Sequence, residues 1–387
     1  MSRPLRPSRL VVASLAFGVA LPSLAWAEST RDKVLAISTQ SLKANGAKDV
    51  TWGKVDGDDA RFSVADLKIV SEAEGKIGTM TVAKTTWTGA AVTPEGGISA
   101  DEVAAEGLGF ESDDAKIKAD RMVLTKYRGP SPDKVVPGKI SGERIDQATV
   151  TGITFTSEDG KTFPVASASF SATDYVGDTP RKAAFELKGL VVPLDPHDSD
   201  LEQVRALGYE KATIDASFSG TWDDKTGRLA ISSFTVGAAD MGTLKIAATI
   251  GGVTPEVVDA MKKAEADQTK QMELLQGLTV EALSLRWDDA SLTGRVLDRQ
   301  AKDQGVDTKT YAKQLKLLMP AMLSMIGNKD FEKKVAGATG SFLDSPKSLT
   351  VSARPKAPVP FGQLMGAAMA MPQTLPAVLG VEVVAND

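Results

Sequence analysis

The sequence predicts an α+β protein that is predominantly antiparallel β, with curved or open meander sheets and a helical insertion in its C-terminal half. Two observations support this prediction. Between Val50 and Pro193, apolar and polar residues alternate in short runs separated by Gly, Asp and Pro, which is typical of strands with one buried face. Between Gly294 and Phe342, apolar residues recur at helical spacing and glycines close successive segments.

Residues 1–27 are predicted to be a signal peptide that contributes nothing to the fold. Three arginines form a basic start, residues 10–21 are apolar, and Ala25-Trp26-Ala27 has the small-x-small pattern of a cleavage site. We therefore expect an exported, periplasmic protein whose mature chain begins at Glu28. No later apolar stretch is long enough to cross a bilayer as a helix, so no transmembrane helix is expected in the mature chain.

Composition limits the classes of partner and site. The chain has 45 basic and 50 acidic residues and a net charge of −5, without basic runs, which argues against nucleic acid as a partner. It has no cysteine, which excludes disulfides, thiol nucleophiles and thiolate metal sites. A mature chain of this length exceeds the usual limit of one core, so we expect a β-rich domain over residues 28–200 and an α+β domain over residues 201–387.

The N-terminal half is predicted to contain one opening helix and then strands. The helix starts at an N-cap at Thr30 and ends at Gly46. Within the strands, two segments 45 residues apart, 105–114 and 150–159, share the pattern apolar-x-Gly-apolar-x-Phe-x-Ser-acid-Asp. Both segments read as a strand followed by a turn.

The C-terminal half is predicted to alternate between strands and helices. A short helix at 198–208 precedes the clearest hairpin of the chain, 218–231, and Thr254 with Pro255 begins a helix that ends at Gly277. Pro320 is expected to kink or split one of the later helices. The remaining predicted elements are a strand at 278–287, helices at 295–304, 307–326 and 330–342, a strand at 349–351, a helix at 361–371 and a strand at 381–384.

The sequence contains no catalytic motif and only one histidine, His197. His197 lies directly before the short helix, where Asp198 or Ser199 can act as the N-cap, so a capping loop is the favoured interpretation. A weak divalent-metal site formed with Asp195 and Asp200 is the alternative. We therefore predict no catalytic residues, no metal site, no cofactor and no enzymatic activity.

The most suggestive segment for function runs from Leu315 to Ile326, because apolar residues cover nearly the whole helix and methionine is frequent. Such a helix must be covered by protein or by lipid. An ordinary core helix is the simpler interpretation, and contact with an acyl chain or a membrane surface is the functional one. The predicted ligand-binding residues are Leu315, Leu318, Met319, Met322 and Met325. The apolar, methionine-rich run Phe361–Met371 repeats the pattern.

The strand pattern resembles that of AsmA-like and related uncharacterised exported proteins of proteobacteria. The resemblance is carried by the hairpin from Trp222-Asp223-Asp224 to Leu229-Ala230-Ile231, the strand 278–287 and the C-terminal run 348–386, which looks like the end of alphaproteobacterial proteins of unknown function. It implies a periplasmic role in envelope maintenance or lipid handling. No catalytic residue carries over, and this chain departs from AsmA-like proteins in lacking a retained membrane helix.

Together these observations predict a noncatalytic periplasmic protein that binds a lipid or other apolar ligand, or docks on the cell envelope. The alternative is a periplasmic adaptor or assembly factor that contacts an envelope protein through sheet edges. A hydrolase built around His197 is the third hypothesis.

Overall fold

The structure is a computed structural model that describes residues 29–73, 76–137, 143–264 and 267–387. The predicted signal peptide lies outside the described residues. The chain divides into two compact units, residues 1–173 and 174–387. The predicted boundary after residue 200 falls inside the second unit, and the division into domains at residues 28–200 and 201–387 stays a prediction.

The first unit contains one helix and nine strands among its described residues. The helix is α1 (Thr30–Ala44). The strands are β1 (Ala47–Thr51), β2 (Val55–Gly57), β3 (Arg61–Ala73), β4 (Lys76–Thr88), β5 (Ala91–Val92), β6 (Ile98–Glu111), β7 (Ala115–Gly129), β8 (Gln147–Ser157) and β9 (Thr162–Val176).

Helix α1 begins one residue earlier than the sequence indicates. Ser29, not Thr30, is the N-cap, and its hydroxyl accepts a hydrogen bond from the Asp32 amide at 3.1 Å. Val34, Leu35 and Leu42 recur at helical spacing and are buried. They pack this helix against the apolar face of the first unit's sheet.

The strands of the first unit form an antiparallel meander in which β3, β4, β6, β7, β8 and β9 pair in sequence. Positions of positive φ in the meander line up across its strands. Asp66, Gly107 and Gly152 have φ angles of 50°, 62° and 63° within strands. The flanking pairs place Asp66 and Gly107 opposite Ala83. The two glycines of the segments with the shared pattern therefore have the same backbone conformation.

The core of the first unit lies between α1 and one face of this sheet. Phe62, Trp87, Val103 and Leu124 are opposite one another on successive strands, so their side chains share that face. Phe62 stacks on Trp87 with ring centroids 6.0 Å apart. Each of the four side chains is buried, which gives this unit a continuous core.

The second unit contains the helical insertions. Its strands are β10 (Thr179–Pro193), β11 (Lys211–Asp223), β12 (Arg228–Ala238), β13 (Gly242–Gly251), β14 (Thr279–Asp289), β15 (Ser348–Ala353), β16 (Val359–Pro360) and β17 (Val381–Ala385). Its helices are α2 (Glu202–Ala206), α3 (Pro255–Lys263), α4 (Gln268–Gln276), α5 (Leu292–Asp303), α6 (Thr308–Leu323), α7 (Lys329–Asp344), α8 (Phe361–Ala370) and α9 (Leu375–Val378).

The structure bears on two helix predictions for this unit. The predicted helix from Thr254 to Gly277 is two helices, α3 and α4, because Ala264 ends the first and Asp267 caps the second through the Lys270 amide. Thr254 and Pro255 begin α3 as predicted. Pro320 does not split α6, which continues through this residue as far as Leu323, and the alternative of a kink stays a prediction.

Both units confirm the predicted fold class. Each has antiparallel strands in meander order, and helices are inserted after β13, β14 and β16 in the C-terminal half. The predicted hairpin is formed by β11 and β12. In the part of the chain that the structure describes, every helix is too short or too polar to cross a membrane.

Candidate functional site

One face of the second unit's sheet carries an uninterrupted row of apolar side chains. The pairing places residues directly opposite one another from β10 to β17, and directly opposite residues of antiparallel strands project from the same face. We call this row the central row; its members are Phe185, Phe218, Phe234, Ile246, Leu285, Val351 and Val383. It crosses seven strands, and the six spacings between them, at about 4.8 Å each, give a length of roughly 29 Å.

A second apolar row runs beside the central row, at a distance of two residues along each strand. It consists of Leu187, Ala216, Val236, Leu244, Trp287, Leu349 and Ala385. The intervening positions project from the opposite face and are mostly polar: Glu186, Ser217, Thr235, Lys245, Arg286, Thr350 and Val384. The sheet is therefore strongly amphipathic, and we call the side with the two rows the apolar face.

The centre of the apolar face is only partly covered. Phe185, Phe234 and Leu285 are 39%, 40% and 41% exposed. The first unit also has a row of apolar side chains across its strands, but Phe62 and Trp87 of that row are almost completely buried in the core that α1 shares. In the second unit, α7 packs against β15 and β17 near the C-terminus, and α6 packs on both α5 and α7. The middle of the apolar face is thus partly open to solvent.

The opposite face is held by ion pairs. Asp288 accepts hydrogen bonds from Lys245 and Arg286, each at 2.7 Å, and Arg286 also pairs with Asp387 at 2.6 Å. Burial raises the pKa of Asp288, but the hydrogen bonds from Lys245 and Arg286 outweigh this effect and keep the pKa below its usual range. This face is polar, charged and chemically distinct from the apolar face.

The structure separates the predicted ligand-binding residues of α6 into two groups. Leu318 and Met322 are exposed, together with Leu317, whereas Leu315 and Met319 are half-buried. The side chain of Met325 lies outside the described part of the structure. Ala312, which lies nearer the N-terminus of α6 than these residues, is buried where α6 packs against α5 and α7. Only the C-terminal half of α6 therefore presents apolar side chains to the solvent.

The second methionine-rich segment lies next to the end of α6. The side-chain amide of Asn328, which caps α7, donates a hydrogen bond to the Gln373 carbonyl oxygen at 2.9 Å, just after α8. Met369 on α8 is exposed, and so is Met371 directly after it. We call the exposed set Leu317, Leu318, Met322, Met369 and Met371 the apolar tip.

His197 lies in a capping loop, as the sequence indicates. Asp198 is the N-cap, and its carboxylate accepts a hydrogen bond from the Asp200 amide at 3.0 Å. The His197 amide donates to the Asp195 carboxylate at 2.8 Å, and the histidine is exposed. No set of three His, Asp or Glu side chains within residues 29–73, 76–137, 143–264 and 267–387 is arranged to hold a metal ion.

The open apolar face is not among the sites that the sequence predicts. A local signal was present, since Phe218 and Phe234 each lie between polar neighbours in alternating strands. That alternation predicts that one face of the sheet is apolar, but it does not predict whether a helix covers that face. The sequence predicts the tip in part: it indicates individual residues of α6, whereas Met369 and Met371 belong only to a second apolar, methionine-rich run.

The comparisons give a family resemblance without an activity. The model of a family described as "Uncharacterized protein" matches residues 235–386, from within β12 to just after β17. This chain is similar to that family over the part that contains most of the central row and the whole apolar tip. No curated protein matches the chain.

Proposed function

We propose that this chain is a noncatalytic periplasmic protein that holds the acyl chains of a lipid on the apolar face, in a role of envelope maintenance. The observation that carries the proposal is the central row, whose aromatic and aliphatic side chains remain partly exposed in the middle of the sheet. Monomeric proteins rarely leave large contiguous apolar surfaces uncovered unless those surfaces bind something.

The chemistry of the face favours an acyl chain over a peptide. The two rows contain only apolar side chains apart from the indole of Trp287, so they offer almost no hydrogen-bonding partner. An extended peptide laid on them would bring backbone amides and carbonyls that lose water without compensation. An acyl chain has no such groups. The hydrocarbon of one bilayer leaflet is about 15 Å deep, roughly half the length of the row, so an extended chain fits along it.

The resemblance to AsmA-like exported proteins belongs to this proposal. Its basis is the strand pattern, and the antiparallel meander with one apolar face is compatible with the lipid handling that it implies. The adaptor hypothesis remains the alternative, because an apolar sheet face also suits a protein partner with a complementary apolar helix. The absence of a catalytic motif in the sequence favours binding over catalysis.

Lipid binding can be tested with variants of the two sheet faces. Phe234→Gln and Leu285→Gln place polar groups on the apolar face, and their partial exposure lets the fold accommodate them. Each change is expected to cost about 1 kcal/mol of lipid binding, so the double variant should bind a fluorescent fatty acid roughly tenfold or more weakly. Native mass spectrometry of the purified protein should show a matching loss of copurified lipid.

The matched control uses one valine on each face. Val351 is 36% exposed on the apolar face and Val384 is 43% exposed on the opposite face. Val351→Gln should weaken fatty-acid binding, whereas Val384→Gln should leave it unchanged. If the wild type carries no lipid and binds no fatty acid, or if both valine variants behave alike, the proposal fails. A stoichiometric protein partner on the apolar face would then support the adaptor.

Export has its own test. The three-part pattern of residues 1–27 should be recognised and removed in the native host, because each part matches a signal peptide. Intact-mass analysis of the protein from the periplasmic fraction should give a chain that begins at Glu28 or within one or two residues of it. A chain that retains Met1 would contradict the periplasmic assignment.

A further inference from the structure

Two uncharged segments of the second unit meet at the apolar tip. Residues 317–328 and 357–381 contain no charged residue. They are far apart in sequence, yet the hydrogen bond from Asn328 to Gln373 joins them. Gly327, in the left-handed conformation with φ of 72°, also brings its backbone next to the Gln373 side chain. Separate segments of the chain thus contribute to one uncharged surface.

The apolar side chains at this surface are unusually open. Met322 is 71% exposed and Met369 is 85% exposed, so most of each side chain contacts water. Ordinary core methionines are buried, and isolated exposed methionines need no explanation. Here the exposed side chains come from α6 and α8 and concentrate where the two helices end.

The segment that carries the α6 part of the tip has an excess of lysine. Residues 308–334 contain six lysines and two acidic residues, although the chain as a whole has a net charge of −5. Lys313 lies one turn before Leu317 on the same side of α6, and Lys329 begins α7 directly after Asn328. Both are exposed, and neither forms an ion pair with any residue in the described ranges. These charges are available to an external anion.

We propose that the apolar tip docks this protein on the surface of a bilayer that contains anionic phospholipid. The uncharged side chains of the tip enter the interface between headgroups and acyl chains. Lys313 and Lys329 contact the anionic headgroups. An apolar surface bordered by lysines is the pattern of interfacial membrane binding, in which hydrophobic burial and electrostatic attraction add.

Charge decides between a bilayer and a second copy of this chain as the occupant. A second copy would bring the same lysines to the same surface, and like charges facing each other oppose association. An anionic bilayer supplies the opposite charge and a large apolar phase. It also accommodates flexible methionine side chains without a fixed complementary shape.

Vesicle cosedimentation of the mature protein tests the proposal. Wild type should bind vesicles of phosphatidylcholine with phosphatidylglycerol more strongly than vesicles of phosphatidylcholine alone. The double variant Met322→Asp/Met369→Asp should bind at least about tenfold more weakly, because two apolar side chains no longer enter the interface. Ile77→Asp is the matched control, since Ile77 is 58% exposed in the first unit and should not contact the membrane.

The lysines have a separate readout. Lys313→Gln and Lys329→Gln should each weaken binding to anionic vesicles about fivefold and reduce its salt dependence. The control Lys84→Gln, at an exposed lysine of β4, should leave vesicle binding unchanged. If the three lysine variants bind equally, the assignment of the headgroup contacts is overturned.

A fluorescent label on a single cysteine shows which part of the protein contacts the membrane. Because the chain has no cysteine, Met369→Cys and Ile77→Cys can each carry one environment-sensitive fluorophore. The label at position 369 should shift to an apolar emission on anionic vesicles, and the label at position 77 should not.

Three results would overturn the docking proposal. These are a wild type that does not bind anionic vesicles, a Met322→Asp/Met369→Asp variant that binds as wild type does, and a tip that forms dimers without binding vesicles. The proposal does not rest on the lipid site of the sheet. The tip variants should keep their copurified lipid, and Phe234→Gln/Leu285→Gln should keep vesicle binding, so each idea can fail alone.

Discussion

At the scale of single residues, the strands of the first unit contain positions that adopt positive φ. Gly107 of β6 and Gly152 of β8 have nearly the same φ, and both lie opposite Asp120 of β7, the strand between them. Glycine adopts this conformation without the steric cost that a Cβ brings. A Cβ at Gly107 would also lie 2.8 Å from the Cβ of Ala83, which is closer than two such atoms normally approach.

Gly107→Ala should therefore destabilise the first unit by about 2 kcal/mol, from the cost of left-handed backbone and the displacement of Ala83. Gly160→Ala is the control, because Gly160 also has positive φ, 78°, but a Cβ there would meet nothing within 4 Å. Its cost should be about 1 kcal/mol. Urea unfolding followed by circular dichroism measures both. Equal midpoints for the two variants would mean that the contact with Ala83 contributes nothing.

At the scale of elements, the same kind of residue has different roles on neighbouring helices. Phe342 of α7 is buried, whereas Met322 of α6 is exposed near the free end of its helix. The sequence gives both helices an apolar character, and only the packing distinguishes a core position from a surface position. Helices α6 and α7 pack on each other and are also joined by the Lys316–Asp344 ion pair, which contributes little because Asp344 is largely exposed.

Phe342→Ala should lower the free energy of unfolding by about 3–5 kcal/mol, because it leaves a cavity in the packed side of α7. Met322→Ala should change it by less than about 0.5 kcal/mol, since the side chain is largely in water. Thermal unfolding of the two variants makes the comparison. A large loss of stability in Met322→Ala would place this residue in the core and remove it from the apolar tip.

The elements also show how far the sequence could predict this protein. Alternation and helical spacing are local, so the hairpin of β11 and β12, the strand β14 and the helices α5 to α7 could be predicted from the chain alone. The break between α3 and α4 was not predicted, because the apolar spacing continues on both sides of Ala264. Which apolar face stays open could not be predicted either. Phe62 and Phe234 lie in strands with similar patterns, but Phe62 is buried in a core with α1, whereas Phe234 remains partly exposed.

At the scale of the whole molecule, the two units use the same amphipathic meander in two ways. The first unit buries its apolar row under a helix and gains a core. The second unit leaves its central row partly uncovered, which costs stability and provides a surface. Its helices are placed after β13, β14 and β16, where they pack on one another and present the apolar tip. In our proposals the sheet holds lipid and the tip contacts the membrane.

The most direct test of the lipid site is to map where a lipid lies on the protein. The mature protein is incubated with a fatty acid that carries a photoactivatable group along its chain, irradiated and analysed by peptide mass spectrometry. We predict crosslinks at Phe185, Phe234, Leu285 and their neighbours on the apolar face, with none at Thr235, Lys245 or Thr350 on the opposite face. Crosslinks equally distributed over both faces, or absent from the central row, would contradict the proposal that this face holds acyl chains.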